Sequence, residues 1–365
     1  MKSQTGVVRV VAMLFVIGIF GLLGCNSSTT YVRPNVVDRL AGDPASPYHA
    51  DYVEYKKGQI DEANLIDRLP HIALVGDSLS RDFYVASVLD SLSRAKNNHM
   101  RDWFLDTDPS PDSVYSLFER LEQITPLVAT EYASVGATVD SGKKQVQLLG
   151  FLAPLNFSDQ VSQILAEKRF PDLLLLWIGH NNMNWVSGLT AAQIKTPDDY
   201  LYARSVIFRR HYTEQLTRLI DRAKTEKHKC AIVVYGLINF MAYFNARAAA
   251  EELKQANPNL YPYLEVDYDH FRSMRPEYRG NMIRLSYLLD IQLKEMVDEL
   301  NKNLKDCPNV HLDYSDALCE VDVSPVALIH PMDAWHPSVK GHSVLAGAAL
   351  KGLGPSLQFL GWRAK

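Results

Sequence analysis

His71-Ile72-Ala73-Leu74-Val75-Gly76-Asp77-Ser78-Leu79-Ser80 is the stretch on which the fold turns. It starts after Pro70, runs apolar without interruption and stops at Gly76-Asp77. A continuous apolar run of this length suits a strand buried on both faces, as a parallel sheet covered by helices requires. Residues 173–178 repeat the pattern between Pro171 and Gly179, and residues 231–235 repeat it before Gly236. Weaker strand candidates lie at 131–135 and 310–314. Amphipathic helical patterns fill 79–95, 157–167, 200–224, 282–304 and 339–350. This β-α alternation predicts an α/β protein: a five-stranded parallel sheet, its first and third strands central, helices on both faces and right-handed crossovers.

Outward from that core the chain changes character. Lys2 and Arg9 precede an apolar run at 10–24, too short and one-sided for a membrane-spanning helix. The run ends in Leu22-Leu23-Gly24-Cys25, and a polar tract follows from Asn26 to Thr30. This resembles a bacterial lipoprotein signal, which implies cleavage before Cys25 and acylation of that residue. Several acyl chains on one residue anchor a protein stably where one does not. The competing reading is an uncleaved N-terminal anchor helix. Asn26, in place of an aspartate after the cysteine, points to the outer membrane or periplasm of a bacterial envelope rather than the inner membrane. Residues 25–67 carry Pro34, Pro44 and Pro47 with no lasting helical period and read as a tether and wrapping segment. The main domain then spans 68–365. Two stretches in it exceed the minimal pattern, 97–126 and 239–281. They either shape a cleft or add packing helices.

Composition narrows the class further. The 365 residues are 47% hydrophobic with net charge −4, and no basic stripe interleaved with aromatics suggests a nucleic-acid partner. Beyond Cys25 there are Cys230, Cys307 and Cys319. Cys230 opens an apolar run and reads as a buried thiol, while an oxidising compartment permits a Cys307–Cys319 bridge.

The chemistry gathers at strand exits. Ser78 sits at a strand-to-helix turn, where an open α/β sheet has its ligand crevice and where unpaired helix N–H groups point outward. A serine there also caps a helix well, and taken alone that reading is the simpler one. Three other blocks accompany it. Gly179-His180-Asn181-Asn182 ends the third strand, with Asn181 offering an amide donor. Gly136, after the second strand candidate, offers a backbone N–H. Asp333-Ala334-Trp335-His336 sets a carboxylate three residues before a histidine, close enough to hold the imidazole Nδ1–H and leave Nε2 as a base.

Together these blocks resemble the SGNH hydrolases of the GDSL lipase/esterase family. Gly76-Asp77-Ser78-Leu79 matches its first block, Gly136 falls at the glycine of the second, Gly179-His180-Asn181 matches G-x-N in the third and Asp333–His336 matches D-x-x-H in the last. The resemblance implies a flavodoxin-like three-layer α/β/α sandwich over 68–365 and a serine esterase acting through an acyl-enzyme, without metal or organic cofactor. It implies Ser78 as nucleophile, His336 as base and Asp333 as its orienter. The oxyanion hole would combine the Ser78 and Gly136 N–H groups with the Asn181 side chain, supported by Asp77, Gly179 and Asn182. The third block of the family commonly ends in aspartate, and Asn182 departs from it. His180, at the variable position, is expected to line the cleft.

Other readings are weaker. Gly-x-Ser-x-Gly and G-x-G-x-x-G are both missing from the sequence. His330, Asp333, His336 and His342 cluster as zinc ligands might, but without a known zinc spacing, so His330 and His342 are expected as loop or helix-surface histidines. A non-catalytic envelope module on a hydrolase scaffold is the rival from another class. The expected substrate is a lipid, phospholipid or other acyl ester, with an O-acetyl esterase acting on envelope or extracellular glycans as the alternative.

Overall fold

The computed structural model describes residues 29–81, 101–107, 114–140, 155–262, 264 and 272–362. The proposed signal segment with Cys25, most of the helix expected at 79–95, and parts of the stretches at 97–126 and 239–281 lie outside these residues. The sheet contains β1 (Thr29–Val32), β2 (His71–Gly76), β3 (Val128–Glu131), β4 (Leu173–Trp177), β5 (Cys230–Tyr235) and β6 (Val310–Ser315), in the spatial order β1-β3-β2-β4-β5-β6. Strands β2 to β6 are mutually parallel, and β1 lies antiparallel on β3. The five expected parallel strands are therefore present, and a sixth is added.

Two expectations need correction here. The extra strand comes from the segment read as a tether, where Thr-Thr-Tyr-Val is β-prone and covers the open edge of β3. The second parallel strand lies at Val128–Glu131, not at 131–135. Beyond Glu131 the chain still runs beside β2, with Tyr132 N–H donating to Leu74 O (2.8 Å) and Ser134 N–H to Gly76 O (3.2 Å). The remainder of the wrapping segment is not irregular either. It forms α1 (Pro34–Ala41), α2 (His49–Lys56) and α3 (Glu62–Arg68). Val37, Ala41 and Leu65 from this segment meet Leu69 and Val128 in a small core of their own. Helices of two turns are too short to display a sequence period.

The later helices are α4 (Leu117–Leu121), α5 (Phe157–Ala166), α6 (Asp198–Lys224), α7 (Phe240–Ala256), α8 (Pro276–Lys302), α9 (Val339–Gly352) and α10 (Gly354–Leu360). Helices α5, α6 and α8 pack side by side in one layer, and α4, α9 and α10 form the other. Between the layers, Leu173 to Trp177 are fully buried, as are Ala231 to Val234. Each such aliphatic side chain contributes about 1.5–3 kcal/mol by leaving water. Polar ends complete the helices: Asp198 and Asp199 open α6 and Arg222 and Lys224 close it, matching the helix dipole.

The order β3-β2-β4 positions the site. The chain leaves β2 for β3 on one side and later returns past it to β4 on the other. The crevice of such a sheet opens at the carboxyl ends of the two strands where this reversal occurs.

Two interior groups carry consequences for stability. A Cβ on Gly76 would fall on Ser80 Oγ and 2.5 Å from Ser80 Cβ, because Ser80 folds back to donate to Trp177 O (3.3 Å). Gly76→Ala is therefore expected to destabilise the protein by about 1–3 kcal/mol in urea unfolding, with partial recovery on adding Ser80→Gly. Asp290 on α8 accepts from Leu237 N–H (2.8 Å) and from the Cys319 thiol (3.7 Å). Burial pushes its carboxyl up to about 7 despite these bonds. The unfolded chain ionises this group near an ordinary value of about 3.9. Rising pH between the two values strips a proton from the unfolded chain alone, so stability falls across that window and the loss is complete above it. Asp290→Asn keeps an acceptor for Leu237 and should raise stability at pH 8 by on the order of 2 kcal/mol, the gain vanishing towards pH 4. Thermal unfolding across pH measures it, with Cys319, Tyr314 and His180 as the titratable neighbours.

Candidate active site

After β2 the chain makes a single turn of 3-10 helix at Ser78–Ser80. Its cap is Asp77, whose Oδ1 accepts Leu79 N–H (3.1 Å), so Ser78 is not needed for that task. The other oxygen, Oδ2, accepts from Gly179 N–H (3.4 Å), His180 N–H (3.2 Å) and His180 Nδ1–H (2.9 Å). His180 Nε2 in turn accepts Ile238 N–H (3.3 Å), which requires the neutral tautomer protonated at Nδ1. His180 is 1% exposed. It does not line a cleft; it bolts the ends of β2, β4 and β5 together. The turn that aims it needs Gly179, whose φ of +134° is one that other residues rarely adopt.

Asn181 and the turn that contains Gly136 meet at this edge. Asn181 Nδ2 donates to Ala137 O (3.0 Å), joining the exit of β4 to the turn that contains Gly136 (φ +78°). An amide nitrogen has two protons, and Ala137 takes one of them. The turn at 134–137 is held to β2 by Ser134 N–H on Gly76 O and by Arg81 Nη1, which donates to Ala133 O (2.8 Å). Gln160 on α5 grips Gly76 from both sides: its Oε1 accepts Gly76 N–H (3.0 Å) and its Nε2 donates to Gly76 O (2.8 Å). Neither Arg81 nor Gln160 stood out in the sequence. A polar residue on the buried face of α5, among Phe157, Val161 and Ile164, was the available signal for Gln160.

The fourth block is intact. His336 Nδ1 donates to Asp333 Oδ2 at 2.6 Å, and Asp333 Oδ1 accepts Trp335 N–H (3.0 Å) and His336 N–H (3.3 Å). Burial opposes ionisation of Asp333, but His336 and the Trp335 N–H outweigh it and hold the carboxyl below the usual range. The turn meets the strand ends through packed rings: Trp335 against Phe240 (centroids 6.2 Å) and Phe240 against His180 (6.4 Å). Ser78 (4% exposed), Asn181 (8%), Asp333 (1%) and His336 (7%) are all shielded from bulk water.

The remaining histidines of this block differ from expectation. His330 and His342 are buried, not on a surface. Their Nδ1 atoms accept Met332 N–H (3.1 Å) and Trp103 N–H (3.2 Å), and burial drives their pKa down to about 4 and about 3. Both are neutral packing groups around the Asp333–His336 turn. Among the described residues no three His, Cys, Asp or Glu side chains are grouped to hold a metal. Cys230, Cys307 and Cys319 are free thiols, so the permitted Cys307–Cys319 bridge is not formed.

Asn182 now has a physical explanation. It is fully buried, its Oδ1 accepts Val139 N–H (3.0 Å), and its Nδ2 donates to Asp140 Oδ1 (3.0 Å). An aspartate at 182 would keep the first bond and set a second carboxylate against Asp140. Asn182→Asp is therefore expected to cost about 1–3 kcal/mol in thermal or urea unfolding, and Asp140→Asn added to it should restore most of the loss.

A family model described as GDSL-like lipase/acylhydrolase matches residues 72–349. Solved structures that resemble the chain include a lipase from a goat rumen metagenome, 13% identical over 78% of this chain and 97% of that one, with a TM-score of 0.37. Another is an extracellular lipase from Streptomyces rimosus, 15% identical over 79% and 98%, with a TM-score of 0.39. No curated protein matches the chain. With the family model spanning β2 through most of α9, the chain belongs to the GDSL-like lipase/acylhydrolase family and is an ester-hydrolysing enzyme.

Proposed function

We propose that the protein is a serine esterase that forms an acyl-enzyme on Ser78 and acts on lipid or other acyl esters. The observation that carries this reading is the buried 2.6 Å hydrogen bond between Asp333 and His336, in a turn that packs through Trp335 and Phe240 towards His180. In the proposed reaction His336 Nε2 takes the Ser78 proton as Oγ attacks the ester carbonyl carbon. Asp333 stays ionised and stabilises the imidazolium. The oxyanion is held by the Ser78 and Gly136 N–H groups and the Asn181 amide, each worth roughly 3 kcal/mol. The intermediate collapses, the leaving alkoxide takes the proton from His336, and the acyl group remains on Ser78. Water then attacks the acyl-enzyme with His336 again as base, releasing the acid and restoring the serine.

An apolar rim beside the base favours an acyl or lipid substrate. Trp335, half-buried next to His336 in the chain, packs on Phe240 and Tyr243. Anchoring through an acylated Cys25 would suit the same reading. Strand β1 begins four residues after Cys25, so at no more than roughly 3.3 Å per residue the sheet edge would lie within about 13 Å of the lipidated residue. We place the enzyme on these grounds at the bacterial envelope, at the outer membrane or periplasm. Among the described residues, no helix is long and apolar enough to cross a membrane.

Fluorophosphonate labelling and ester hydrolysis test the chemistry together. The wild type should take up the probe at one serine and hydrolyse p-nitrophenyl esters. Ser78→Ala should lose the label, and its rate should fall by roughly 10⁴-fold or more. A wild type that neither labels nor turns over sinks the reading in favour of a non-catalytic envelope module. The chain-length profile decides the substrate: a rate rising towards medium or long acyl groups supports the lipid reading, and an optimum at acetyl replaces it with glycan O-acetyl esterase activity.

A further inference from the structure

Asp333 and His336 are linked through Ala334, whose φ is +52°. That left-handed conformation is strained for a residue with a Cβ, so the surroundings must impose it. Part of the restraint is local: Ala334 N–H donates to His330 O (2.9 Å) and His330 N–H to His336 O (2.7 Å). The rest comes from α7. Tyr243 Oη donates to Ala334 O at 2.7 Å. Arg247 Nη1 donates to Ala334 O (3.1 Å) and to Asp333 O (3.4 Å), and its Nη2 reaches Leu264 O (3.2 Å). The two residues are one helical turn apart on one face of α7. Arg247 is 0% exposed and Tyr243 2%.

A buried guanidinium gives up its hydration, which is offset only where its donors meet good acceptors. Here those acceptors include the carbonyls of the acid and of the residue after it. We propose that Tyr243 and Arg247 are positioning residues of the hydrolytic reaction. They fix the 333–334 backbone, and through it the angle at which Asp333 presents the His336 imidazole to Ser78. This role presupposes the catalytic roles proposed for Ser78, Asp333 and His336. It also gives the aromatic stretch at 239–281 a task other than shaping a cleft.

The test uses the full chain with Tyr243→Phe, Arg247→Lys and, as reference, His336→Ala. Tyr243→Phe removes one hydroxyl and keeps the ring that packs edge-on against Trp335 at 5.0 Å. It should melt within a few degrees of the wild type and keep KM within about twofold, while kcat falls by about tenfold. Fluorophosphonate labelling should slow in the same proportion, and the low-field proton resonance of His336 Nδ1–H should broaden or shift. Arg247→Lys, which cannot span both carbonyls and Leu264, should lose more; should it fail to fold, Tyr243→Phe alone decides. Unchanged kcat, labelling and resonance in Tyr243→Phe, beside an inactive His336→Ala, overturn the positioning role alone. A rise in KM with kcat intact assigns Tyr243 to the cleft and also overturns it. A His336→Ala enzyme as fast as the wild type overturns the catalytic reading itself, and the positioning role with it.

Discussion

The Asp77 carboxylate is fully buried at the junction of the two central strands, where an ionised group without donors would be very costly. Four N–H groups meet it: Leu79 from its own turn, Gly179 and His180 from the end of β4, and the His180 ring. One side chain therefore sets the separation between the turn that carries Ser78 and the turn that carries Asn181. Through His180 Nε2 and Ile238 N–H the same network reaches the end of β5, just before α7. Geometry at the sheet edge follows from this junction: loosen it, and Ser78 and Asn181 drift independently.

Around that junction, function is divided between apolar and polar parts. The leucines of β4 and the aliphatics of β5 hold the layers together without direction, as burial of hydrocarbon does. Orientation comes from short, directed bonds at the carboxyl edge: Gln160 on Gly76, Asn181 on Ala137, Asn182 on Asp140, and Asp333 on His336. Neutral His330 and His342 pack beside the last of these and, being uncharged, set no positive charge against it. Inside a low-dielectric site each directed bond is stronger than in water, and each unmet polar group costs more.

The Asp333–His336 turn shows how local and distant constraints combine. Three-residue spacing brings Asp333 and His336 within reach of each other. It does not by itself choose the left-handed conformation of Ala334, which depends on contacts made from nearly a hundred residues away in sequence.

Much was legible in the residues alone. Strands 71–76, 173–177 and 230–235 are apolar runs closed by glycine or proline, and burial on both faces admits little else. The four chemical blocks and their chain order were equally visible, since each lies within a few consecutive residues. What the sequence could not decide depends on partners distant along the chain. Strand β1 exists because β3 offers it an edge. His180 became a bolt because Asp77 and Ile238 flank it. Asn182 is understandable only beside Asp140, and Arg247 only beneath Ala334. Apolar period and local motif are written in consecutive residues and can be read there. Satisfaction of buried polar groups is a property of the folded neighbourhood, and only the tertiary structure decides it.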